Sequence, residues 1–233
     1  MLLEIKNLRV ESQGKEILKG VDLQIKNGEF QVLLGPNGSG KTVLSQTIFG
    51  NPKYKVTEGK ILFEGKNIVK FSPEKRIKLG MALAWQSPPK IRGVKLSQLL
   101  ERISKKKVEI EEGKSLLERE VNFDLSGGEK KISELLQVLV LNPRFVIFDE
   151  IDSGLDIKKL EKVAKIIKKE FIDKKVSVLL ITHRGEILNF LKADLVNVMV
   201  DGKIVCKSKN FEKVLKTIKK YGYEKCKECF KKI

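Results

Sequence analysis

The chain has 233 residues, of which 41% are hydrophobic, a composition typical of a folded protein with one substantial core. Its formal net charge of +17 favours acidic partners such as nucleotides, nucleic acids or acidic protein surfaces, although a lysine-rich solvated surface gives the same charge. No apolar run approaches the roughly 20 residues that cross a bilayer, and Met1–Lys6 alternates like a strand and unlike a signal peptide, so we expect a soluble, cytoplasmic protein.

The N-terminal part of the chain predicts several strands. Alternating apolar residues in Leu3–Val10 and Val21–Ile25 indicate antiparallel edge strands joined by polar turns. The short apolar run Gln31–Leu34 indicates a strand that is buried on both faces. Two later strands are predicted at Ile61–Phe63 and Met81–Trp85.

A glycine-rich loop directly follows the strand Gln31–Leu34. Its eight residues are Gly35, Pro36, Asn37, Gly38, Ser39, Gly40, Lys41 and Thr42. The glycines let successive backbone N–H groups turn inward and cradle phosphate oxygens at the start of a helix, here predicted over Lys41–Phe49. In this motif Lys41 reaches the β- and γ-phosphates and the Thr42 hydroxyl ligates Mg²⁺. The loop therefore predicts a site for a nucleoside triphosphate with Mg²⁺.

The middle of the chain predicts helices. Gln86 ends the strand Met81–Trp85. Apolar residues recur at helical spacing over Lys95–Lys107, which predicts a helix. The charged run Lys105–Glu120 is either a solvated helix or a poorly ordered segment, and the sequence leaves both open.

A second anion-binding feature begins at Ser126. Ser126, Gly127, Gly128 and Glu129 match a capping box, with serine as the N-cap and glutamate at the third helical position. An ordinary helix start gives this pattern too, but capping does not require two consecutive glycines. These glycines uncover the N–H groups and the dipole of the helix start, so the segment suits an anion that approaches from outside. The helix is predicted to end near Pro143.

Two adjacent carboxylates follow the apolar strand Phe145–Phe148. Asp149 is predicted to lie at the end of that strand beside the phosphate loop, where open α/β sheets bind ligands, and it suits the Mg²⁺ site as a carboxylate that acts through the groups bound to the ion. Glu150 points in another direction and can polarise an attacking water. Adjacent acids at a strand end also occur for structural reasons, but the phosphate loop in the same chain favours the catalytic interpretation.

Helices and strands alternate after these acids. The predicted order is helix Ile157–Glu170, strand Val176–Ile181, helix Gly185–Leu191, a hairpin turning at Asp201–Gly202, and a C-terminal helix. This alternation indicates an α/β fold with a mainly parallel, doubly wound sheet. His183 is the only histidine and follows a core strand. A lone histidine is usually structural, but this position after the two acids predicts a contact with the γ-phosphate.

The C-terminal segment, residues 201–233, is basic and contains every cysteine. It carries 11 lysines and 4 acidic residues. The cysteines are Cys206, Cys226 and Cys229. The last two have the CxxC spacing of metal or redox sites, but one pair supplies only two of the ligands of a tetrahedral metal site. A metal role and an incidental pair in a helix both stay open.

The motifs occur in the order phosphate loop, Gln86, Leu125–Glu129, Phe145–Glu150, Ser153–Asp156 and His183. In this order they resemble the ATP-binding-cassette (ABC) ATPase domain over nearly the whole chain. The resemblance implies a P-loop NTPase fold of ABC type in one domain over residues 1–233, with an antiparallel edge subdomain. It also implies a helical subdomain over about residues 87–141. This subdomain is expected to be shortened, because only 39 residues separate Gln86 from Ser126.

The resemblance further implies a role for each residue of the site. Thr42 and Asp149 then belong to the Mg²⁺ site together with Gln86, which senses the metal. Glu150 is implied to be the general base that drives ATP hydrolysis to ADP and phosphate, and His183 is implied to be the switch. Lys41 and the rest of the phosphate loop hold the phosphates of ATP.

ABC domains pair head to tail, and this pairing implies an ATP-driven homodimer. Ser126, Gly127 and Gly128 of one subunit are then implied to complete the ATP site of the other subunit. Asp156 is implied to lie in the loop between the subunits. Many ABC ATPases stack the adenine on an aromatic residue, but none lies between Arg9 and Leu18, so we expect aliphatic contacts such as Val10.

A finer resemblance is to the ATPase of the SUF system of iron–sulfur cluster assembly (SufC-like). The segments Glu129–Lys131, Asp149–Asp156 and Trp85–Pro89 carry it. It implies a soluble scaffold protein as partner, SufB/SufD-like, and we expect that partner to dock between Gln86 and the helix Lys95–Lys107. The nucleotide-binding subunit of a membrane transporter is the alternative, and a nucleic-acid-associated cassette protein is a third interpretation.

Overall fold

The computed structural model describes residues 1–85, 88–104, 111–223 and 225–226. In chain order its strands are β1 (Leu3–Ser12), β2 (Lys15–Ile25), β3 (Phe30–Leu34), β4 (Lys55–Phe63), β5 (Lys66–Asn67), β6 (Met81–Ala84), β7 (Ile91–Lys95), β8 (Glu120–Val121), β9 (Phe145–Asp149), β10 (Ser177–Thr182), β11 (Leu195–Val200) and β12 (Lys203–Ser208). The α-helices are α1 (Lys41–Ile48), α2 (Pro73–Lys78), α3 (Leu96–Ser104), α4 (Gly127–Leu139), α5 (Ile157–Ile167) and α6 (Phe211–Tyr221). No helix in the described ranges is long and apolar enough to span a membrane.

The main sheet has six strands in the order β12-β11-β3-β10-β9-β6. Neighbouring strands from β11 to β6 pair in parallel, and only β12 pairs antiparallel, as a hairpin with β11. Parallel strands covered on both faces are apolar throughout, and every residue of β3, β9 and β10 is buried. Because β3, β9 and β10 are adjacent and parallel, the loops that follow them meet at one edge of the sheet.

A second, antiparallel sheet has the order β2-β1-β4-β5, and β7 and β8 form a separate short pair. The buried side chains form two clusters, one on each face of the main sheet. Helices α4 and α5 cover one face through residues such as Leu135 and Val163. Helix α1 and the antiparallel sheet cover the other face through residues such as Leu44 and Ile5. The phosphate-loop helix is therefore fixed between two sheets.

The C-terminal end of α1 is fixed by a buried arginine. Arg76 of α2 is 1% exposed, and its guanidinium donates to the carbonyls of Thr47 and Ile48 at 2.9 and 2.6 Å. It also donates to Val69 and Phe71. The last carbonyls of a helix lack partners within the helix, so a cation there satisfies them and suits the helix dipole.

The structure confirms the predicted α/β fold class, with a mainly parallel sheet and an antiparallel edge sheet. Some element predictions were wrong. The predicted helix Gly185–Leu191 is only a 3₁₀ turn, Glu186–Asn189, because Gly185 has a φ of 72° and the Thr182 hydroxyl accepts its N–H group. The predicted helix Ile157–Glu170, by contrast, is present and continues to Ile172, with π geometry from Lys168.

The middle of the chain also differs from its prediction. Lys95 ends strand β7, which pairs with β8, so the helix predicted over Lys95–Lys107 begins only at Leu96. The helix is described as far as Ser104, and the last three residues of the prediction lie outside the described part. Of the charged run Lys105–Glu120, residues 105–110 lie outside the described part, and Glu111–Leu116 forms a 3₁₀ turn.

Candidate active site

A cleft of about 820 Å³ opens at the sheet edge where β3, β9 and β10 end. It is lined by the phosphate loop, the first turn of α1, the residues that follow β9 and β10, the first half of β2 and the β11–β12 turn. The lining residues are Lys15, Glu16, Ile17, Lys19, Asn37, Gly38, Gly40, Lys41, Thr42, Val43, Glu150, Ser153, His183, Asp201 and Gly202. Sequence segments that lie far apart therefore form one concave site.

The phosphate loop holds its shape through close backbone packing. A side chain at Gly35 would place its Cβ 2.3 Å from the carbonyl oxygen of Met199, and one at Gly40 would lie 2.9 Å from Leu18. Gly40 also has a φ of 104°, which favours glycine at the N-cap of α1. The N–H of Ser39 donates to the carbonyl of Pro36 at 3.2 Å, which tightens the turn. The loop thus delivers the start of α1, with its free N–H groups, to the cleft.

Lys41 belongs to the phosphate loop and is the first residue of helix α1. Its Nζ donates to the carbonyls of Gly35 and Pro36 at 2.8 and 2.9 Å. Burial lowers the pKa of Lys41, and the charges of Glu150 and Asp149 oppose that shift. An ammonium group between loop carbonyls and carboxylates can be drawn toward a phosphate, because phosphate oxygens offer a stronger charge-assisted hydrogen bond than carbonyls do.

Asp149 and Thr42 form an oxygen-rich corner beside the loop. Oδ2 of Asp149 accepts a hydrogen bond from the Ser45 hydroxyl at 2.7 Å, while Oδ1 is buried without a hydrogen-bond partner in the described part of the chain. Burial raises the pKa of Asp149, and the Ser45 and Thr42 hydroxyls and Lys41 lower it. A carboxylate with a free oxygen next to a hydroxyl is the hard donor set that Mg²⁺ takes. These residues therefore fit a Mg²⁺ site.

Glu150 is held in the left-handed backbone region, with a φ of 52°. Its N–H donates to the carbonyl of Ile181 at 2.9 Å, and its own carbonyl accepts from Ser153. The side chain of Glu150 is 9% exposed, and its Oε1 lies 3.3 Å from Nδ1 of His183. The structure thus brings together the carboxylate after β9 and the histidine after β10 at the floor of the cleft.

The Ser126 segment lies at another surface. Ser126 is the N-cap of α4, and its side chain accepts from the N–H of Glu129 at 3.4 Å while the Glu129 carboxylate accepts from the N–H of Ser126 at 2.8 Å. Ser126 and Gly127 are exposed, whereas Gly128 packs where a Cβ would come within 2.7 Å of the Lys159 side chain. Asp156 is similarly the exposed N-cap of α5. None of these residues lines the cleft of its own chain.

Gln86, the third candidate Mg²⁺ residue, lies outside the described residues, as does Cys229. Its neighbour Trp85 donates its backbone N–H to Oε1 of Glu134 in α4. Cys226 is buried, at 2% exposed.

The expected contact between adenine and Val10 was wrong. Val10 is 0% exposed, because it pairs with Leu18 across β1 and β2 and both side chains point into the core. Ile17 lies on the opposite face of β2 and lines the cleft. The period-2 alternation of β2 was the signal that could have identified Ile17.

Sequence reasoning missed several residues around the site. Ser45 lies three residues after Thr42 on α1, and this helical spacing could have placed both on the face that meets Asp149. Lys131 and Glu134 have the same spacing on α4 and are 7% and 4% exposed. Their burial depends on how α4 packs, so no local pattern could have identified it.

Comparison with known proteins adds to this geometry. Residues 18–153 match the protein-family model described as ABC transporter. This span contains the phosphate loop, the Ser126 segment, Asp149 and Glu150, and ends before His183. A probable ABC transporter ATP-binding protein of Streptococcus pyogenes serotype M3 is 43% identical over 224 residues, covering 88% of this chain and 87% of its own length.

Two solved structures share the fold. A nucleotide-free ATP-binding cassette from an ABC transporter has a TM-score of 0.79 at 23% identity, covering 97% of this chain and 98% of its own. The dimeric structure of a bacterial ABC transporter cassette has a TM-score of 0.75 at 22% identity, covering 89% of this chain and 98% of its own.

Proposed function

Because the chain belongs to the ABC transporter family, whose ATP-binding domains hydrolyse ATP, we propose that its cleft is the ATPase site. The observation that carries this proposal is the arrangement at the cleft floor. The Glu150 carboxylate, the His183 imidazole, the Lys41 ammonium and the Asp149–Thr42 corner all meet where the phosphate loop ends.

The chemistry follows from the position of each group. ATP places its phosphates along the loop, where the N–H groups of the α1 start and Lys41 stabilise the negative charge. Glu150 accepts a proton from a water that attacks the γ-phosphorus, and the bond from that phosphorus to the bridging oxygen of ADP breaks. His183 contacts the γ-phosphate and reports its presence. Thr42 and Asp149, with Gln86, would hold Mg²⁺, and the ion would supply positive charge that neutralises the phosphates.

The active unit in this proposal is a dimer. Ser126 and Gly127 are exposed at the start of α4 and do not line their own cleft, so they are available to the γ-phosphate of a second subunit. The similar cassette with a dimeric structure supports this arrangement by analogy of fold. Helix N-termini bind anions, which gives the exposed segment a physical reason to approach phosphate.

The partner in this proposal is a soluble SufB/SufD-like scaffold of iron–sulfur cluster assembly. The SUF-type assignment is supported by resemblance in two segments. These are Glu129–Lys131, in the helix start that follows Ser126, and the acidic run Asp149–Asp156. Two apolar side chains, Trp85 directly after β6 and Ile103 in α3, are 42% and 36% exposed, and they suit burial by a partner.

The second candidate is the nucleotide-binding subunit of a membrane transporter. The similar Streptococcus pyogenes protein carries the name of a probable ABC transporter ATP-binding protein, and this favours the transporter. Both candidates use the same ATPase site, so only the partner distinguishes them.

Purification of the chain with its partner from native extract tests the proposal. We expect a protein of the soluble fraction that holds an iron–sulfur cluster and raises the ATPase rate when the two purified proteins are mixed. A partner recovered only from detergent-solubilised membranes, with several membrane-spanning helices, would overturn the SUF assignment in favour of the transporter.

A further inference from the structure

The loop that carries His183 is tied to the C-terminal part of the chain. The hydroxyl of Tyr223 donates a hydrogen bond to the backbone carbonyl of His183 at 3.0 Å. Tyr223 follows α6 by two residues and does not line the cleft. A residue outside the cleft therefore holds the peptide group of a residue inside it.

The other side of this loop is already fixed by a separate set of bonds. The Thr182 hydroxyl donates to Oδ2 of Asp152 at 2.6 Å and accepts from the N–H groups of Arg184 and Gly185, both at 3.1 Å. These bonds hold the backbone around His183 to the segment that follows Glu150. Tyr223 adds one more hydrogen bond to this framework, at the carbonyl of His183.

Tyr223 is itself held in place by its surroundings. Gly222 turns the chain with a φ of 72°, and its N–H donates to the carbonyl of Ile218 at 2.8 Å. The carbonyl of Tyr223 accepts from the N–H of Cys226, a residue buried in the main core. The Tyr223 hydroxyl is protonated at neutral pH as tyrosines ordinarily are, and burial raises its pKa further, so the group is a hydrogen-bond donor.

Helix α6 packs directly on the same loop. A Cβ at Gly185 would lie 3.5 Å from the side chains of both Phe211 and Leu215 of α6. The helix, the tyrosine and the histidine loop therefore form one packed unit, and a shift of the tyrosine would move the loop.

We propose that Tyr223 is a positioning residue for His183. Its hydrogen bond fixes the peptide plane of His183, and this plane sets where the imidazole lies relative to Glu150, now 3.3 Å away. Small displacements of a catalytic group slow turnover strongly, up to about 10²-fold for about 1 Å. The inference rests on the proposed function, because it assumes that His183 takes part in ATP hydrolysis.

The variant Tyr223→Phe tests this role, since it removes the hydroxyl and keeps the ring. We expect kcat for ATP hydrolysis to fall about 3- to 10-fold, the effect of losing one hydrogen bond. The dissociation constant for a fluorescent ATP analogue should stay at the wild-type value, and the melting temperature should fall by only about 2–4 °C, the cost of one hydrogen bond in a chain of this size. The control is Tyr221→Phe, which makes the same change on a 55% exposed ring at the end of α6. It should behave as the wild type does.

A double-variant cycle separates positioning from a general loss of packing. If Tyr223 acts through His183, adding Tyr223→Phe to His183→Ala should lower kcat no further. A further loss of several-fold in that background, or a wild-type kcat for Tyr223→Phe alone, would overturn the inference and leave the proposed site intact. A wild-type kcat for His183→Ala would instead overturn the histidine's role in the proposed function, and the inference with it.

Discussion

Glu150 reaches the cleft through an unfavourable backbone conformation. A residue other than glycine in the left-handed region costs on the order of 1–3 kcal/mol. Its N–H and carbonyl are both bonded, to Ile181 and Ser153, and these bonds hold the conformation in place. Asp149 stays in the strand and points toward Ser45, so two adjacent carboxylates serve different parts of the site.

We predict that Glu150→Gln binds ATP and loses most of its turnover. The amide keeps the size and hydrogen bonding of the carboxylate but cannot accept a proton, and loss of a general base costs about 10²- to 10⁴-fold. Phosphate release measures the rate, and calorimetry measures binding. The matched control is Glu186→Gln, an exposed carboxylate near His183 that does not line the cleft. Turnover of Glu150→Gln within a few-fold of the control would exclude Glu150 as the base.

Glu134 is the second carboxylate with an unusual environment. It is 4% exposed, one oxygen accepts the N–H of Trp85, and the other has no hydrogen-bond partner among the described residues. Burial raises the pKa of Glu134 to about 7, and the nearby Lys131 opposes the shift. The folded protein therefore holds this proton more tightly than the unfolded chain does.

This pKa shift predicts a pH-dependent stability. The contribution of Glu134 to the free energy of unfolding should fall as pH rises from 4.5 to about 7, because the folded state must release a proton that the unfolded chain has already lost. The amide of Glu134→Gln does not titrate, so this loss is absent from the variant. Between pH 4.5 and about 7, the free energy of unfolding of the variant should therefore rise relative to that of the wild type by on the order of 1–3 kcal/mol. Urea unfolding at both ends of the range measures this. The control Glu101→Gln changes an exposed carboxylate, and the same pH slope in all three proteins would contradict the prediction.

At the scale of elements, two helices present their N-termini at the surface beside each other. The carbonyl oxygen of Gly154, shortly before α5, lies 3.7 Å from the Cβ position of Gly127 in α4. Ser126 and Asp156 cap these helices through side-chain hydrogen bonds to the third helical N–H. The two exposed helix starts thus form one face that can meet a second subunit.

We predict that Ser126→Arg abolishes ATP-driven dimerisation. In Glu150→Gln protein, Mg-ATP should give a dimer by light scattering, and the arginine should block it through its size while monomeric ATP binding continues. Ser72→Arg is the matched control, because Ser72 is likewise an exposed N-cap serine, in α2, and its loss costs a similar helix cap of about 1 kcal/mol. A dimer that persists in Ser126→Arg would rule out completion of the site by the second subunit.

At the scale of the whole molecule, the cleft and the proposed partner surface lie on different parts of the chain. Helix α3 follows strand β7 and buries Leu96 and Leu100, while Ile103 near its end is 36% exposed. An apolar side chain outside the core and outside the cleft can bind a partner without changing the phosphate site.

We predict that Ile103→Asp weakens capture of the partner and leaves basal ATP hydrolysis unchanged. A charge that must be desolvated in an apolar interface costs several kcal/mol, so the yield of partner in the purification should fall at least about tenfold. The control Ile77→Asp places the same charge on an isoleucine of α2 that is 38% exposed. Full yield with Ile103→Asp would remove α3 from the partner surface.

The sequence predicts most of the fold because the relevant signals are local. The apolar runs at β3 and β9, the glycines of the phosphate loop and the Ser126 capping box each act over a few residues, and the structure has an element at each of these places. Errors occurred where the apolar periodicity does not decide. The turn after His183 is short because a local hydrogen bond from the Gly185 N–H to the Thr182 hydroxyl sets its geometry, and Lys95 joins a strand because of a tertiary contact, its pairing with β8.

The sequence by itself determined the family, the order of the motifs and the residue types of the candidate site. This was possible because the conformation of a loop or a helix cap depends on residues that are adjacent in the sequence. Only the tertiary structure decided which groups meet. Strand order brings Glu150 within 3.3 Å of His183 and Ser45 within 2.7 Å of Asp149, and α6 packing brings Tyr223 to the histidine loop. These contacts join residues up to 104 positions apart in the chain, and local periodicity indicates which face of an element a side chain occupies but not the distance to the group that it meets.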